Sequence, residues 1–271
     1  MQRRWMLSAV FVTFCLLGSI PLQSQTDTTT STSLHKAALM QSLFRLNGGQ
    51  GITDVLMTAA VKRIAGTRTE TLNLVLKAKG TDLAKVDYGA VSTELRTETY
   101  VNSGGIPACE WVDAAGTPHL SSAENCIVPV WWLPQLSPLA WVAEGAAVPV
   151  YVGRENYLGS TVDHYAIKKS FARPTPSVSA NAARISLLAT VDIYLDSNTG
   201  IPVALGYPIH PDSDGLTDLR VDVRFSDYRS VGGVLVPYRI TRLVNGGVVL
   251  DITLASVAFN SGLSDSEFGL H

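Results

Sequence analysis

The chain has 271 residues and a formal net charge of −2, with 21 Lys and Arg against 23 Asp and Glu. Charged residues make up 16%, well under the ~25% usual for soluble domains. The near-neutral balance, with no basic run beyond the N-terminus, argues against nucleic acid as a partner, and the length admits one large domain or two small ones.

Arg3 and Arg4 precede an apolar run, "WMLSAVFVTFCLLGSI", which Pro21 ends; small and polar residues follow around Ser24. This order predicts a secretory signal peptide over 1–24 and hence a periplasmic or secreted protein. The rival reading is an uncleaved anchor, which would give membrane contact through the leader. Cys15 invites a lipoprotein reading, but Phe14 stands where a small residue should precede a lipidated cysteine. Cleavage leaves Cys109 and Cys126, and two cysteines in an oxidising compartment most simply pair. A catalytic or metal-binding thiol pair would need helper ligands, of which His119 is the nearby candidate.

Residues 25–33, "QTDTTTSTS", read as a flexible leader, and residues 34–271 as one domain. "SLHKAALMQSLFRLNGG" predicts a helix capped by Ser33, with Leu39, Leu43 and Leu46 on one face and a left-handed stop at Asn47-Gly48. "ITDVLMTAAVKRI" predicts a second short helix. After Gly66 the period changes to two. In "RTETLNLVLKAKG", Leu72, Leu74, Leu76 and Ala78 share one face, while Thr71, Asn73, Lys77 and Lys79 share the other. This is the pattern of a half-buried antiparallel strand. About ten further strand-like runs follow, divided by turns such as Asn102-Ser103-Gly104-Gly105, Leu158-Gly159-Ser160, Gly232-Gly233 and Asn245-Gly246-Gly247. Short links between neighbours imply antiparallel pairing. "ARPTPSVSANAA", at 172–183, reads as a surface connection.

"VPVWWLPQLSPLAWVAEG", Val128–Gly145, breaks this rhythm with three tryptophans and one charge, Glu144. Pro129 and Pro134 bar a continuous strand or helix, and Ser137-Pro138 predicts a helix start with serine as N-cap. A sheet of about ten strands curls, and its apolar concave face must be covered. The expected architecture is α+β: a large curved antiparallel sheet, an open half-barrel, covered by N-terminal helices and the short mid-chain helix. The tryptophan stretch is the expected lid. The expected ligand cavity is formed by Leu72, Leu74, Leu76, Trp131, Trp132, Leu136 and Trp141.

Catalytic signatures are missing: no Gly-x-Ser-x-Gly elbow, no His-Glu-x-x-His, no phosphate loop. His164 stands beside Asp163 on a strand and lacks an evident nucleophile. Asp163, Asp192 and Asp222 are strand carboxylates expected on wet faces. "HPDSDGLTD" offers His210, Asp212, Asp214 and Asp218 in a partial likeness to a calcium loop, but Val221 stands where the terminal bidentate acid belongs. A polar turn is the simpler account, and the sequence calls for no metal and no cofactor.

The C-terminal third carries a family resemblance. "YLDSNTGIPVAL", with Asp196-x-x-Thr199-Gly200-x-Pro202, and "VDVRFSDYRSVGGVLVPYRITRLVNGGVVLDITLASVAFNSGLSDSEF" resemble the LolA-like superfamily of periplasmic lipoprotein carriers and sensors. "YVGRENYLGSTVDHYAI" resembles that family's central hairpin. The resemblance spans residues 33–268. It implies an open half-barrel with helices across its mouth, an apolar cavity for acyl chains, and a lid-latching arginine for which Arg96 is the nearest candidate. The disulfide loop and the tryptophan segment are additions to that pattern. The resulting expectation is a non-enzymatic carrier or sensor for lipid or acylated protein. The alternatives are an envelope protein-interaction module with a filled core, and a hydrolase without a recognisable motif.

Overall fold

The computed structural model describes residues 25–89, 92–103, 106–170, 189–211, 214 and 217–271. The expected signal peptide, the 172–183 connection and Asp212 lie outside these residues. Among the described residues the chain forms helix α1 (Gln25–Asn47), strands β1 (Asp54–Ala65), β2 (Arg68–Lys79), β3 (Leu83–Asp87), β4 (Leu95–Ser103), β5 (Ile106–Asp113) and β6 (Pro118–Leu120), helix α2 (Leu139–Ala143), then β7 (Ala147–Tyr157), β8 (Ser160–Lys169), β9 (Thr190–Asp196), β10 (Pro202–Ile209), β11 (Leu219–Val231), β12 (Val234–Val244) and β13 (Gly247–Phe259). Short 3-10 turns occupy Ala123–Cys126 and Asp265–Phe268.

All thirteen strands belong to one open antiparallel sheet in the order β6-β5-β4-β3-β2-β1-β13-β12-β11-β10-β9-β8-β7. The α+β half-barrel is therefore the observed architecture. The chain enters at the middle of the sheet, meanders to one edge at β6, crosses to the far edge at β7, and meanders back until β13 pairs with β1. Only one described stretch can make that crossing: residues 121–146, the tryptophan segment. It crosses over the sheet's apolar face, because a segment this poor in charge loses most by lying in water.

Two expectations need correction. "ITDVLMTAAVKRI" is not a helix but strand β1, paired with β2 on one side and β13 on the other. Its burial alternates, with Val55, Met57, Ala59 and Val61 inside and Thr58, Ala60 and Lys62 outside. Residues 25–33 are not a separate leader, since α1 begins at Gln25. The packed part of α1 is its second half, where Leu39, Ser42 and Leu46 are buried at the three- and four-residue spacing of one helix face. Contacts with β7, β12 and α2 hold it there.

The end of α1 behaves as read. Gly48 and Gly49 have φ of 58° and 79°, the left-handed region open to glycine. Gly48 also abuts the β11–β12 turn: an added Cβ would stand 2.3 Å from the Gly233 carbonyl oxygen. Gln50 Nε2 donates to the Gly232 carbonyl of the same turn, and Arg45 Nη1 to the Thr199 carbonyl. Gly48→Ala is therefore expected to lower stability by more than about 1 kcal/mol, read as a shifted urea midpoint.

Asp54 closes the seam between the two halves of the sheet. Its carboxylate accepts from Ser261 N at 2.7 Å, Ser261 Oγ at 2.8 Å and Gly262 N at 3.1 Å. Burial alone would raise its pKa, but these hydrogen bonds outweigh burial and hold it below the ordinary value. A carboxyl depressed in the folded state contributes stability above its unfolded pKa of about 3.9, and loses it as pH falls toward the folded value. Asp54→Asn is expected to cost about 2 kcal/mol at pH 7. The gap to wild type should close below about pH 4 in urea titrations run against pH.

On β2, Leu74 and Leu76 face the core, while Lys77 and Lys79 on the outer face pair with Glu267 at 2.6 Å and Asp265 at 2.5 Å. The segment after β13 is thus strapped across the outer face, with Phe268 buried beneath it. Among the described residues no helix is long and apolar enough to cross a membrane.

Candidate functional site

The crossing segment is built from successive tight turns. Leu133 N donates to Val130 O at 3.3 Å, Leu136 N to Leu133 O at 3.0 Å and Leu139 N to Pro134 O at 3.3 Å. It is tied down along its length. Cys126 is disulfide-bonded to Cys109 on β5. Asn125 exchanges two hydrogen bonds of 2.8 Å with the backbone of His210. Gln135 Nε2 donates to Leu235 O on β12 at 2.5 Å. The expected serine cap does not form: α2 starts at Leu139, Pro138 holds the cap position after a cis Ser137-Pro138 bond, and the buried Ser137 hydroxyl has no partner among the described residues. Packing holds this short helix instead, since Leu139, Trp141 and Val142 are all buried; propensity alone would not.

Trp131, Trp132 and Trp141 are wholly buried, and Leu72, Leu74, Leu76 and Leu136 are buried with them in one apolar cluster. Trp131 and Trp132 meet edge to face with centroids 5.5 Å apart. Each end of the lid rests on a cation. Arg242 of β12 lies 4.7 Å from the Trp131 ring, and Lys169 at the end of β8 lies 4.4 Å from the Trp141 ring. Such contacts gain strength where water is excluded. Burial pulls the Lys169 ammonium below its ordinary pKa, against the nearby carboxylates of Asp82 and Glu144. Arg96, the sequence candidate for a latch, has its Nη1 beside Gly116 in the β5–β6 turn. Arg242 is in contact with the tryptophan segment through Trp131.

A cleft of about 370 Å³ opens over β1, β4 and β5, lined by Arg63, Glu94, Leu95, Glu98, Tyr100, Cys109, Glu110, Trp111 and Ser121. None of the seven expected cavity residues lines it. Arg63 is held between Glu70 at 3.3 Å and Glu94 at 2.6 Å. Glu98 faces inward toward Arg242 at 3.8 Å and accepts from the Tyr100 hydroxyl at 3.3 Å. On the cleft wall Trp111 stacks on His119 at 4.1 Å, and His119 pairs with Asp113 at 3.1 Å. A smaller cleft of about 180 Å³ separates α1 from β8, β9 and the turn after β9. Sequence reasoning missed Arg242, Glu98 and the larger cleft. The available signal was register: Arg242 is in phase with buried Ile240, and Glu98 with buried Tyr100.

The strand carboxylates and histidines are taken up in ion pairs and hydrogen bonds on the two faces of the sheet. Asp163 lies on the face that carries Tyr165 and Ile167. There it is bound by Arg154 at 2.9 and 3.0 Å and by the Tyr151 hydroxyl at 3.1 Å. His164 lies on the opposite face, between Glu155 and Asp192, each at 3.1 Å. Arg220 clamps Asp192 at 2.7 Å and Asp222 at 3.1 Å. Gly206 makes room for that guanidinium, because a Cβ there would stand 1.7 Å from Arg220 Nη2. His210, just after β10, turns inward. His210 is 4% exposed and its Nδ1 lies 3.0 Å from the Thr217 carbonyl oxygen, while Asp214 accepts from Thr217 Oγ1 at 2.5 Å. Among the described residues no cluster of three His, Cys, Asp or Glu is placed to hold a metal.

No protein-family profile matches the sequence, and no curated protein is similar to it by sequence. Solved structures do match its shape. One is described as an outer membrane lipoprotein-sorting protein domain from Vibrio parahaemolyticus, with TM-score 0.57, 11% identity, 88% of this chain and 97% of that chain covered. A LolA superfamily protein from Nitrosomonas europaea gives TM-score 0.52, 13% identity, and 87% and 97% coverage. The chain has a LolA-like fold. A DUF1329 family protein from Desulfovibrio piger shares it, with TM-score 0.54, 12% identity, and 87% and 97% coverage. At these identities the likeness speaks of fold, and function must be argued from the site. Within the LolA-like fold, the features of this site are the disulfide-anchored tryptophan segment and the two cations that stack on it.

Proposed function

We propose that the protein is an exported, non-enzymatic carrier or sensor that holds a lipid, or the acyl chain of a lipoprotein, between the concave sheet and the tryptophan lid. The observation that carries this reading is the complete burial of Trp131, Trp132 and Trp141 by a segment with little regular structure. Such a roof is anchored at Cys126, Asn125 and Gln135, and between those anchors the tryptophans can part from the sheet to admit a chain without unfolding a long helix or strand. Leu72, Leu74, Leu76 and Leu136 are the floor and wall of this site. Acyl burial supplies ~0.8 kcal/mol per CH₂, and release requires a partner that stabilises the open lid. Arg242, through Trp131, is the proposed latch. The Vibrio domain's description as lipoprotein-sorting supports an acylated cargo.

The test is to purify the full chain from its envelope, extract it and identify bound lipid by mass spectrometry, then follow tryptophan emission on adding fatty acid. Copurified lipid and a changed emission are expected. Absence of both would end the carrier reading. The second reading, a protein-binding module, is favoured by one observation: β7 is an edge strand whose Val148, Val150 and Val152 are 56–58% exposed, a pattern suited to strand addition. Under it, an envelope partner is captured by the wild type and lost with Val150→Asp.

A further inference from the structure

Arg242 is a cation beneath an apolar roof; its guanidinium is within hydrogen-bonding reach of the Tyr207 hydroxyl, and its Nε–H is left over. Its side chain is 13% exposed, and its nearest carboxylate, Glu98, stands at 3.8 Å, outside hydrogen-bond range. Its Nε–H has no acceptor among the described residues, and neither do the indole N–H groups of Trp131 and Trp132. Both indoles are wholly buried, Trp131 lies over the guanidinium, and Trp132 meets Trp131 edge to face. An indole or guanidinium N–H can only donate, and a buried donor without an acceptor is costly. Among the described residues nothing supplies these donors with acceptors, and an oxygen-bearing ligand would. The 370 Å³ cleft approaches the same place, because Glu98 and Tyr100 line it and Glu98 is the residue facing Arg242. Arg63, also on the cleft wall, is already taken up by Glu70 and Glu94.

We infer that Arg242, Trp131 and Trp132 form a head-group site for an anionic lipid, which enters past Glu98 and replaces it as the counter-charge. The inference rests on the acyl-binding reading above and adds the class of head group: a carboxylate or phosphate carried on a hydrocarbon chain. Without ligand, Glu98 balances the guanidinium from a distance at which no hydrogen bond is spent. An anionic head brings both the charge and the acceptors that the indoles lack, and a guanidinium receives such oxygens in its planar fork. Burial alone would lower the Arg242 pKa, but Tyr207, Glu98, Tyr100 and Tyr88 together hold it above its ordinary value, so the buried group keeps its charge.

Calorimetric titration of the full chain with dodecanoate, dodecyl phosphate, dodecanol and inorganic phosphate tests this. Both anionic lipids are expected to bind at least tenfold more tightly than dodecanol, and inorganic phosphate alone not to bind. Arg242→Gln should remove the preference, so that neither anionic lipid binds more tightly than dodecanol to that variant. Arg242→Lys should retain part of the preference, and it serves as the readout if Arg242→Gln does not fold. Glu98→Gln should tighten the anionic lipids several-fold relative to dodecanol, a gain that a merely structural role for Glu98 would not produce. Equal affinity for acid and alcohol would overturn the head-group site while leaving acyl binding intact. Inorganic phosphate binding as tightly as dodecyl phosphate would overturn it in favour of a free-anion site, and unchanged affinities in Glu98→Gln would overturn the exchange. Failure of every twelve-carbon ligand to bind would overturn the acyl reading itself.

Discussion

Trp132→Ala is expected to weaken acyl binding by about a hundredfold, equivalent to about 2.7 kcal/mol, while costing the fold less than the usual penalty. Truncating a large aromatic in a solid core costs about 3–5 kcal/mol, because every neighbour loses contact and the cavity stays empty. Trp132 is wholly buried, so a filled core predicts that full cost. A roof over ligand space predicts less, since part of what the indole faces is then room for a chain and not packed protein. The same geometry predicts the binding loss: an aromatic removes ~150–250 Å² from water, and the ligand loses its share of that surface. Urea unfolding and calorimetric titration with dodecanoate on the same variant give the two numbers. A full 3–5 kcal/mol fall in stability with unchanged dodecanoate affinity would assign Trp132 to plain core packing and remove the lid from the functional argument.

The strand meander was legible because alternation and turn chemistry are local. Leu72, Leu74 and Leu76 against Lys77 and Lys79 show which face of β2 is dry, and the structure buries the first set and pairs the lysines with Glu267 and Asp265. β1 was not legible. Val55, Ala59 and the Lys62-Arg63 pair satisfy a helical spacing, while Val55, Met57, Ala59 and Val61 satisfy a period of two. Twelve residues do not separate the two patterns. Pairing with β2 and β13 decided it, and the β13 partner lies nearly two hundred residues away. The start of α1 was hidden for a different reason: "QTDTTTSTS" is rich in weak helix formers. For the site, the dry tryptophan segment was visible from its composition, but its route was not. That route follows from the edge-to-edge topology, which depends on the distant β1–β13 pair. Arg242 and Glu98 were overlooked because strand charges were read as wet, although each stands in the buried phase of its own strand.

Replacing both Cys109 and Cys126 by serine is expected to cost about 3 kcal/mol, the chain-entropy value for a loop of this size, across a sequence separation of 17. The loss should not be spread evenly. The bridge joins β5 to the start of the tryptophan segment, and the strand between them, β6, has three residues and among the described residues pairs with β5 alone. Without the bridge the crossing segment keeps Asn125 on His210 and Gln135 on Leu235, both beyond the bridge or at its end, so residues 114–125 lose their only covalent restraint. Hydrogen exchange should therefore rise in 106–136 and stay slow in β9–β13, where each strand is flanked on both sides. Wild type held in reductant should match the variant in both urea midpoint and exchange pattern. If the lid also gates binding, the loosened segment should speed dodecanoate release more than it alters the equilibrium, because an opening that costs less is made more often. A variant that loses stability uniformly, with unchanged exchange over 106–136, would separate the disulfide from the lid.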